Sequence, residues 1–140
     1  MTHTPNEYAK RILKNRSLKA TPTRISLINL IHAYKTAMPF SKVQQQMVDT
    51  DRVTMYRTLN ALLEKGIIHK AFSSQEDTYY ALCGETCSSH SHLHDHIHFK
   101  CTACNAVTCQ HLDNDIAISL PGFDIKGLSI NAEGICPNCL

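Results

Sequence analysis

The 140-residue sequence has no long apolar run. Residues 1–15 lack the hydrophobic core of a secretory signal peptide, and no stretch is long enough to cross a membrane. HExxH and comparable pairings of zinc ligands with a general base are also missing, which disfavours a zinc hydrolase. We therefore expect neither an enzyme nor a membrane partner, and no small-molecule substrate.

Cysteine is plentiful but present in an odd number. Seven cysteines in 140 residues fit poorly with a fully paired disulfide scaffold. In the reducing cytosol such a density is typical of metal thiolates. The composition predicts a cytoplasmic, metal-binding protein of one domain or two small ones.

Charge is distributed unevenly along the chain. Residues 1–72 contain twelve lysines and arginines against four acidic residues, whereas residues 73–140 contain two against eight. The small net charge of +2 therefore hides a basic half and an acidic half. This asymmetry indicates a polyanion-binding module attached to a second unit with another role.

Two CxxC pairs predict a structural zinc site. They are Cys101-Thr-Ala-Cys104 and Cys136-Pro-Asn-Cys139, separated by 31 residues. Each pair presents two thiolates at the spacing of a tetrahedral zinc ion, so together they complete a closed Cys₄ shell with no position open for chemistry. Two unrelated turns or two disulfides are the alternatives. In the surrounding acidic half we expect strands at 97–100, 106–109 and 123–131, and a short helix at 113–120.

The basic half is typical of a series of short helices. We expect a first helix over residues 6–16, a second beginning at Thr21-Pro22, and a third capped by Ser41 and running to about Val48. A fourth begins after Asp51 and ends at Lys65-Gly66.

The fourth helix has the features of a DNA reader. Four apolar side chains recur at helical spacing and face the core: Met55, Leu59, Leu62 and Leu63. Five side chains that can contact bases or phosphates lie on or beside the opposite face: Arg52, Thr54, Tyr56, Arg57 and Asn60. An ordinary solvated helix face is the alternative. Strand-like runs at 67–72 and 78–82 follow, and a helix-turn-helix followed by a hairpin is a winged helix.

A histidine-rich segment separates the wing from the first CxxC pair. Histidine occupies every second position from 90 to 98. An extended chain directs alternate side chains to one face, so several imidazoles are aimed at one location. Together with Cys83, Cys87, Cys109 and His69, this segment predicts a second zinc site, and a solvated histidine-rich loop is the alternative.

Two of these motifs resemble the ferric uptake regulator (Fur) superfamily. Residues 51–67 are similar to its recognition-helix signature, and residues 94–104 are similar to its histidine-rich metal segment. The resemblance implies an α+β protein with a winged-helix DNA-binding domain at 1–82, a linker at 83–93 and a small α/β dimerisation and metal-binding domain at 94–140. It also implies a metal-dependent homodimer on a palindromic double-stranded operator.

The same resemblance implies roles for individual residues. Thr54, Tyr56 and Arg57 would contact bases and phosphates, Arg24 would be a further DNA contact, and the CxxC cysteines would hold the structural zinc. Cys83 is similar to the sensory cysteine of the zinc uptake regulator (Zur) branch. The matching histidine ligands would be His69, His96 and His98.

Departures from the iron-sensing pattern favour zinc as the regulatory ion. Iron-type members have a carboxylate five residues after the first CxxC pair, where this chain has Cys109, and Ile97 occupies a position that is aspartate in many members. A thiolate and imidazole shell suits Zn²⁺ better than Fe²⁺. His94 and Cys109 are further candidate ligands. The prediction is a zinc-sensing repressor of metal-uptake genes.

Two alternatives remain at this point. One is an iron- or peroxide-sensing regulator that binds Fe²⁺ or Mn²⁺ at the sensory site. The other is a zinc-buffering protein without specific DNA binding.

Overall fold

The computed structural model describes residues 4–73, 77–83, 96–111, 118–125 and 130–140. Within these ranges the chain forms four helices, none of which has the length and apolar character needed to cross a membrane, and six strands. In chain order the elements are α1 Pro5–Asn15, α2 Pro22–Tyr34, β1 Met38–Pro39, α3 Phe40–Gln46, α4 Arg52–Glu64, β2 Ile68–Ser73, β3 Thr78–Leu82, β4 His96–Cys101, β5 Val107–His111 and β6 Asn131–Gly134.

The ends of α2 and α4 confirm the predicted caps. The Thr21 hydroxyl accepts a hydrogen bond from the backbone N–H of Arg24 at 3.3 Å, and the Asp51 carboxylate accepts one from the N–H of Thr54 at 3.0 Å. Helix α4 ends in a Schellman motif, in which Gly66 adopts a φ of 68° and the N–H of Ile67 bonds to the carbonyl of Leu62. Glycine adopts this left-handed conformation without the steric cost of a Cβ.

The predicted serine cap of α3 is wrong. The N-cap residue is Pro39, and no side chain caps this helix. Instead, the hydroxyl and the backbone N–H of Ser41 both donate to the Asp77 carboxylate, 36 residues further along the chain. A charged acceptor forms stronger hydrogen bonds than a local neutral group, so the tertiary contact replaces the expected capping box. The helix ends at Gln46, before the predicted Val48.

The basic half forms a winged helix around one core. Strands β1, β3 and β2 lie in that order in an antiparallel sheet, and β2 and β3 are the predicted hairpin. Helices α1 to α4 pack apolar side chains against this sheet. The largest fully buried side chains of this core are Leu13, Leu27, Ile28, Met38, Val43, Met55, Leu59, Leu62 and Ile68.

The acidic half contains a second three-stranded sheet, ordered β5-β4-β6. Strands β4 and β5 pair antiparallel and confirm the strands predicted at 97–100 and 106–109. Strand β6 pairs parallel with β4, and it lies at 131–134. The bounds predicted for the third strand, 123–131, are therefore wrong: residues 123–125 and 130 are irregular, and residues 126–129 lie outside the described residues. The helix predicted at 113–120 lies largely outside the described residues, and residues 118–120 are not helical.

Parallel pairing of β4 and β6 has a direct consequence for the metal ligands. The carboxyl ends of parallel strands meet at the same edge of a sheet. Cys101 pairs with Gly134 at that edge, so the CxxC turn after β4 and the CxxC turn after β6 emerge side by side. Had the third strand ended at residue 131, the second pair of cysteines would have begun five residues beyond the sheet.

The wing, which is the hairpin of β2 and β3, and the residue before β1 pack against one face of the second sheet. The backbone N–H of Ala37 donates to the carbonyl of Val107 at 2.8 Å, and both side chains are buried with Ala71. The Lys100 ammonium lies 5.2 Å from the centre of the Phe72 ring and 5.7 Å from that of Tyr79. Residues 84–93 lie outside the described residues, so the predicted domain division at 83–93 stays a prediction.

Candidate metal centres and nucleic-acid interface

Four cysteines at the edge of the second sheet form a Cys₄ cluster, defined as Cys101, Cys104, Cys136 and Cys139. Their sulfur atoms all lie within 4.8 Å of one another, and the Cys104 and Cys136 sulfurs are 3.9 Å apart. Tetrahedral zinc with Zn–S bonds of about 2.3 Å holds its sulfurs about 3.8 Å apart. The cluster therefore fits a structural zinc ion.

Hydrogen bonds distribute charge unevenly within the Cys₄ cluster. The backbone N–H groups of Cys104 and Cys136 donate to the sulfur of Cys101, which lowers the pKa of Cys101 to about 6. Hydrogen bonding with the side chains of Cys136, Cys104 and Cys101 raises the pKa of Cys139 to about 12. A metal cation in the cluster favours the thiolate form of every ligand, so metal binding replaces the remaining protons.

A second group of metal-ligand side chains lies where the wing meets the second sheet. We call His69, His98 and Cys109 the sensory cluster, after the role that the sequence analysis predicts for these candidate ligands. One ligand atom from each residue lies within 4.8 Å of the others, and Nε2 of His69 is 3.3 Å from the sulfur of Cys109. The rings of His69 and His98 stack with centroids 5.2 Å apart. Two imidazoles and one thiol fit a zinc ion by ligand type.

Strand pairing positions the members of the sensory cluster. His98 on β4 is directly opposite Cys109 on β5, so their side chains project from the same face of the second sheet. His69 on β2 lies across from them and is only 7% exposed, and His98 is 9% exposed. The cluster is thus largely shielded from water and joins two sheets.

Cys83 also contacts His69, but on the other side of its ring. The sulfur of Cys83 lies 3.2 Å from Nδ1 of His69, whereas the sensory cluster adjoins Nε2. The backbone N–H of Cys83 donates to the carbonyl of Ile67 at 2.9 Å, which holds this residue just beyond β3. Of the predicted ligands, the structure thus brings His69, His98 and Cys109 into one group and places Cys83 beside it.

The other predicted sensory ligands are less completely described. His94 lies outside the described residues. The backbone of His96 pairs with that of His111 in β4–β5, two residues along the ladder from the pair of His98 and Cys109. Cys87 also lies outside the described residues.

Helix α4 presents the predicted DNA-contacting side chains on its outer face. Met55, Leu59 and Leu62 are buried, together with Thr58. Four of the five predicted contact residues are exposed: Arg52, Tyr56, Arg57 and Asn60. The fifth, Thr54, is half-buried, and its hydroxyl donates to the carboxylate of Asp51. These bonds from Thr54 lower the pKa of Asp51 and keep the cap of α4 ionised.

Tyr56 is held in place by its neighbours. Its ring stacks on Phe40 of α3 with centroids 4.9 Å apart, and the Arg52 guanidinium donates to its hydroxyl at 3.4 Å. A guanidinium above an aromatic ring is also attractive, and the two groups are 5.6 Å apart. The outer face of α4 therefore presents an ordered Arg and Tyr pair.

Arg24 lies on the first turn of α2. It is half-buried, and its guanidinium donates to the carbonyl of Lys19 at 2.9 Å.

Two further residues make contacts with or within the wing that the sequence analysis did not predict. The Asp77 carboxylate accepts a hydrogen bond from Ser41 of α3, and the Lys100 ammonium of β4 lies over the Phe72 ring of the wing. Asp77 is the last residue of the segment between the two predicted wing strands, and its polar side chain in a turn was only a weak indication of this contact. The sequence gave no indication of the contact made by Lys100.

Comparison with known proteins identifies relatives over most of the chain. The profile of the ferric uptake regulator family matches residues 15–119. The zinc uptake regulation protein of Escherichia coli strain K12 is 28% identical over 146 aligned positions, covering 94% of this chain and 79% of that protein.

Solved structures match the fold. A zinc uptake regulator complexed with zinc and DNA aligns with a TM-score of 0.68 at 23% identity, covering 99% of this chain and 96% of the other. The holo form of XcZur aligns with a TM-score of 0.68 at 21% identity, covering 94% of each chain. Both similarities establish a winged helix followed by a small α/β unit.

Proposed function

Because the chain belongs to the ferric uptake regulator family, we propose that it is a zinc-sensing transcriptional repressor that binds operator DNA as a homodimer and controls metal-uptake genes. One observation carries the proposal. The sensory cluster takes His69 from the wing strand β2, and it takes His98 and Cys109 from the second sheet. A metal ion bound by all three residues would connect the DNA-binding unit to the second unit.

Charge and shape support DNA as the macromolecular partner. Residues 1–72 contain an excess of eight positive charges, and α4 presents Arg52, Tyr56, Arg57 and Asn60 outward. Arginine and asparagine can each form two hydrogen bonds with a base edge in the major groove. The hydroxyl proton of Thr54 is bonded to Asp51, so Thr54 would contact DNA through its methyl group or as a hydrogen-bond acceptor. Arg24 would contact a phosphate at the margin of this surface.

The donor chemistry supports zinc over Fe²⁺ or Mn²⁺ at the sensory cluster. Thiolate and imidazole ligands favour Zn²⁺, whereas Mn²⁺ prefers oxygen ligands. The carboxylate of iron-type members is replaced here by Cys109, whose sulfur lies 3.3 Å from Nε2 of His69. Further ligands to complete four-coordination are proposed from His94, His96 and Cys83. The Cys₄ cluster holds a separate zinc with a structural role.

Coupling between zinc and DNA follows from where the ligands lie. His69 moves with the wing and α4, and His98 and Cys109 move with the second sheet, which dimerises in this proposal. Sharing one ion restricts the angle between the two units and hence the spacing of the two α4 helices in a dimer. That spacing has to match successive major-groove faces about 34 Å apart. Zinc and DNA then raise each other's affinity by the same factor.

Selection from a random pool of DNA duplexes tests this function without knowledge of the operator. The zinc-loaded protein is expected to enrich a palindrome with two half-sites, and enrichment is expected to disappear when a chelator empties the sensory cluster but leaves the Cys₄ zinc. A zinc-buffering protein would enrich no sequence under either condition. Equal enrichment with and without the chelator would mean that DNA binding is not zinc-controlled. A cytoplasmic location is part of the proposal, because the operator has to be accessible.

A further inference from the structure

Val53 is an exposed apolar residue on the outer face of α4. Its side chain is 58% exposed, although valine is usually among the most buried residue types. Among the described residues up to Cys83, the other exposed large hydrophobic side chains are Tyr34, Val48 and Tyr56. Packing in the core therefore does not explain the choice of valine at this position.

Helix geometry places Val53 at the centre of the outer face. Successive residues of an α-helix are about 100° apart around the axis. Val53 therefore lies between Tyr56 and Arg57 when α4 is viewed end-on. Asn60 is two turns further along on nearly the same line, and Leu62 is on the opposite side, in the core. Val53 is thus an apolar group surrounded by side chains that can form hydrogen bonds.

The first turn of α4 is not composed for helix stability. Acidic residues stabilise the first turn of a helix through its dipole, and a glutamate three residues after the N-cap would complete a capping box. Here the turn consists of Arg52, Val53 and Thr54 and contains no acidic residue. Valine is also a weaker helix former than alanine or glutamate. This composition suits a turn that enters a groove of DNA, where a carboxylate would be repelled by the phosphates.

Only one base presents an apolar group in the major groove. That group is the C5 methyl of thymine, whereas the other base edges present hydrogen-bond donors and acceptors. A valine placed against a polar edge would displace water from it without replacing the hydrogen bond, which is unfavourable. Resting on the DNA-binding function proposed above, we infer that Val53 recognises the C5 methyl group of one thymine in each half-site of the operator.

Spacing along α4 also predicts where this thymine lies. Val53 and Tyr56 are three residues apart, which corresponds to about 4.5 Å along the helix axis. Successive base pairs of DNA are about 3.4 Å apart. The thymine recognised by Val53 should therefore lie within about two base pairs of the position at which Tyr56→Ala relaxes base preference.

Replacing thymidine by deoxyuridine tests this contact, because deoxyuridine pairs in the same way but lacks the methyl group. The measurement uses the zinc-loaded full chain and the operator selected from the random pool, with each thymine replaced in turn at equivalent positions of both half-sites. Burial of one methyl group corresponds to about a fourfold change in affinity. At the position recognised by Val53, the substitution should weaken wild-type binding about fourfold per half-site and about 15-fold for the two half-sites together.

Variants of Val53 should change this methyl dependence selectively. Val53→Ala should bind the thymine operator about as weakly as the wild type binds the substituted operator, and it should lose little more on substitution. Val53→Thr keeps one of the two methyl groups and should show an intermediate dependence. Val48→Ala is the matched control, because Val48 is 77% exposed but lies in the turn before α4. It should keep the methyl dependence of the wild type.

The outcomes separate this inference from the proposed function. If the selected operator has no position at which loss of the methyl group weakens binding, or if the dependence persists in Val53→Ala, the inference is wrong while the function stands. Loss of the dependence in Val48→Ala as well would contradict the assignment to Val53. If no sequence is enriched from the pool, the DNA-binding function fails, and the inference fails with it.

Discussion

The backbone N–H of Ala37 donates to the carbonyl of Val107 at 2.8 Å, which joins the start of the first sheet to the second sheet. The two residues are buried together with Ala71, and Phe72, Tyr79, Ala81 and Cys109 pack around them. The sensory cluster lies beside this contact. A metal ion bound there would therefore stabilise the packing of the wing against the second sheet. This contact gives the coupling between zinc and DNA a structural basis.

Removing the charge of Lys100 should weaken the packing of the wing against the second sheet. Lys100→Met keeps the aliphatic side chain but removes the attraction between the ammonium group and the rings of Phe72 and Tyr79. Such an interaction contributes about 0.5–1 kcal/mol at exposed sites. Because the two rings share one ammonium group, we count one contribution, and zinc-dependent DNA affinity should fall about two- to fivefold. Lys65→Met removes an equal charge at the end of α4 and is the control. If DNA affinity decreases equally in both variants, the cause is the lost net charge and not the contact between Lys100 and the two rings.

Loss of one Cys₄ ligand should prevent folding of the second unit. In Cys136→Ser the Cys₄ cluster keeps three sulfurs, and the metal no longer supplies the free energy that holds β4 and β6 together. Metal analysis and size-exclusion chromatography should show loss of the tightly held zinc and monomeric or aggregated protein. Cys109→Ser is the control, and it should keep this zinc and the dimer. A dimeric, DNA-binding Cys136→Ser would contradict the structural role.

The outer face of α4 should carry DNA recognition. Arg57→Ala should weaken binding to all sequences and lower the slope of log K against log salt concentration by about two units in the dimer, because one fewer phosphate is neutralised at each of the two α4 helices. Arg57→Lys keeps the positive charge and should retain most of the affinity and of the salt dependence. Competition against unrelated DNA at several salt concentrations measures the two effects. Unchanged binding by Arg57→Ala would place the DNA surface elsewhere.

Tyr56 should contribute to base preference through its ring. Tyr56→Phe keeps the stacking on Phe40 and removes only the hydroxyl that accepts from Arg52. We expect it to retain more discrimination between specific and random DNA than Tyr56→Ala, in which the ring is also removed. If both variants discriminate like the wild type, Tyr56 does not read the sequence.

The cap of α4 should make a stability contribution that is independent of pH near neutrality. Hydrogen bonds from Thr54 lower the pKa of Asp51 in the folded protein, so its contribution is complete above the unfolded pKa of about 4 and is lost only as the pH falls through the lowered value. The melting temperature of Asp51→Ala should therefore lie below that of the wild type by a constant margin from pH 5 to 8. Asp51→Asn keeps an acceptor and should show a smaller margin. A margin that changes over this range would contradict the assigned pKa direction.

Local signals predicted the winged helix well because its determinants lie close in sequence. Thr21-Pro22, Asp51 and Gly66 each act within one turn of a helix end, and the structure confirms all three. The error at Ser41 has the opposite origin, because its partner Asp77 lies 36 residues away. Capping preferences describe only hydrogen bonds to nearby backbone groups. Here Ser41 bonds instead to an acceptor that is distant in sequence.

The two metal sites likewise differ in how far local sequence signals predict them. The spacing within each CxxC pair identified the Cys₄ cluster, which the structure brings together. The grouping of His69, His98 and Cys109 depends on the register of β4 with β5 and on how the wing packs against them, neither of which leaves a pattern in the sequence. Resemblance to relatives gave Cys83 priority over Cys109, whereas the structure groups Cys109 with His69 and His98.

The most direct test of zinc control is the affinity of the protein for its selected operator as a function of buffered free metal. The measurement uses protein that retains the Cys₄ zinc and compares Zn²⁺, Fe²⁺ and Mn²⁺ at controlled free concentrations. We predict that Zn²⁺ raises DNA affinity on the order of 10- to 100-fold, that operator DNA raises zinc affinity by the same factor, and that Fe²⁺ and Mn²⁺ have little effect. DNA affinity that does not depend on free zinc, or that responds to iron instead, would contradict the account.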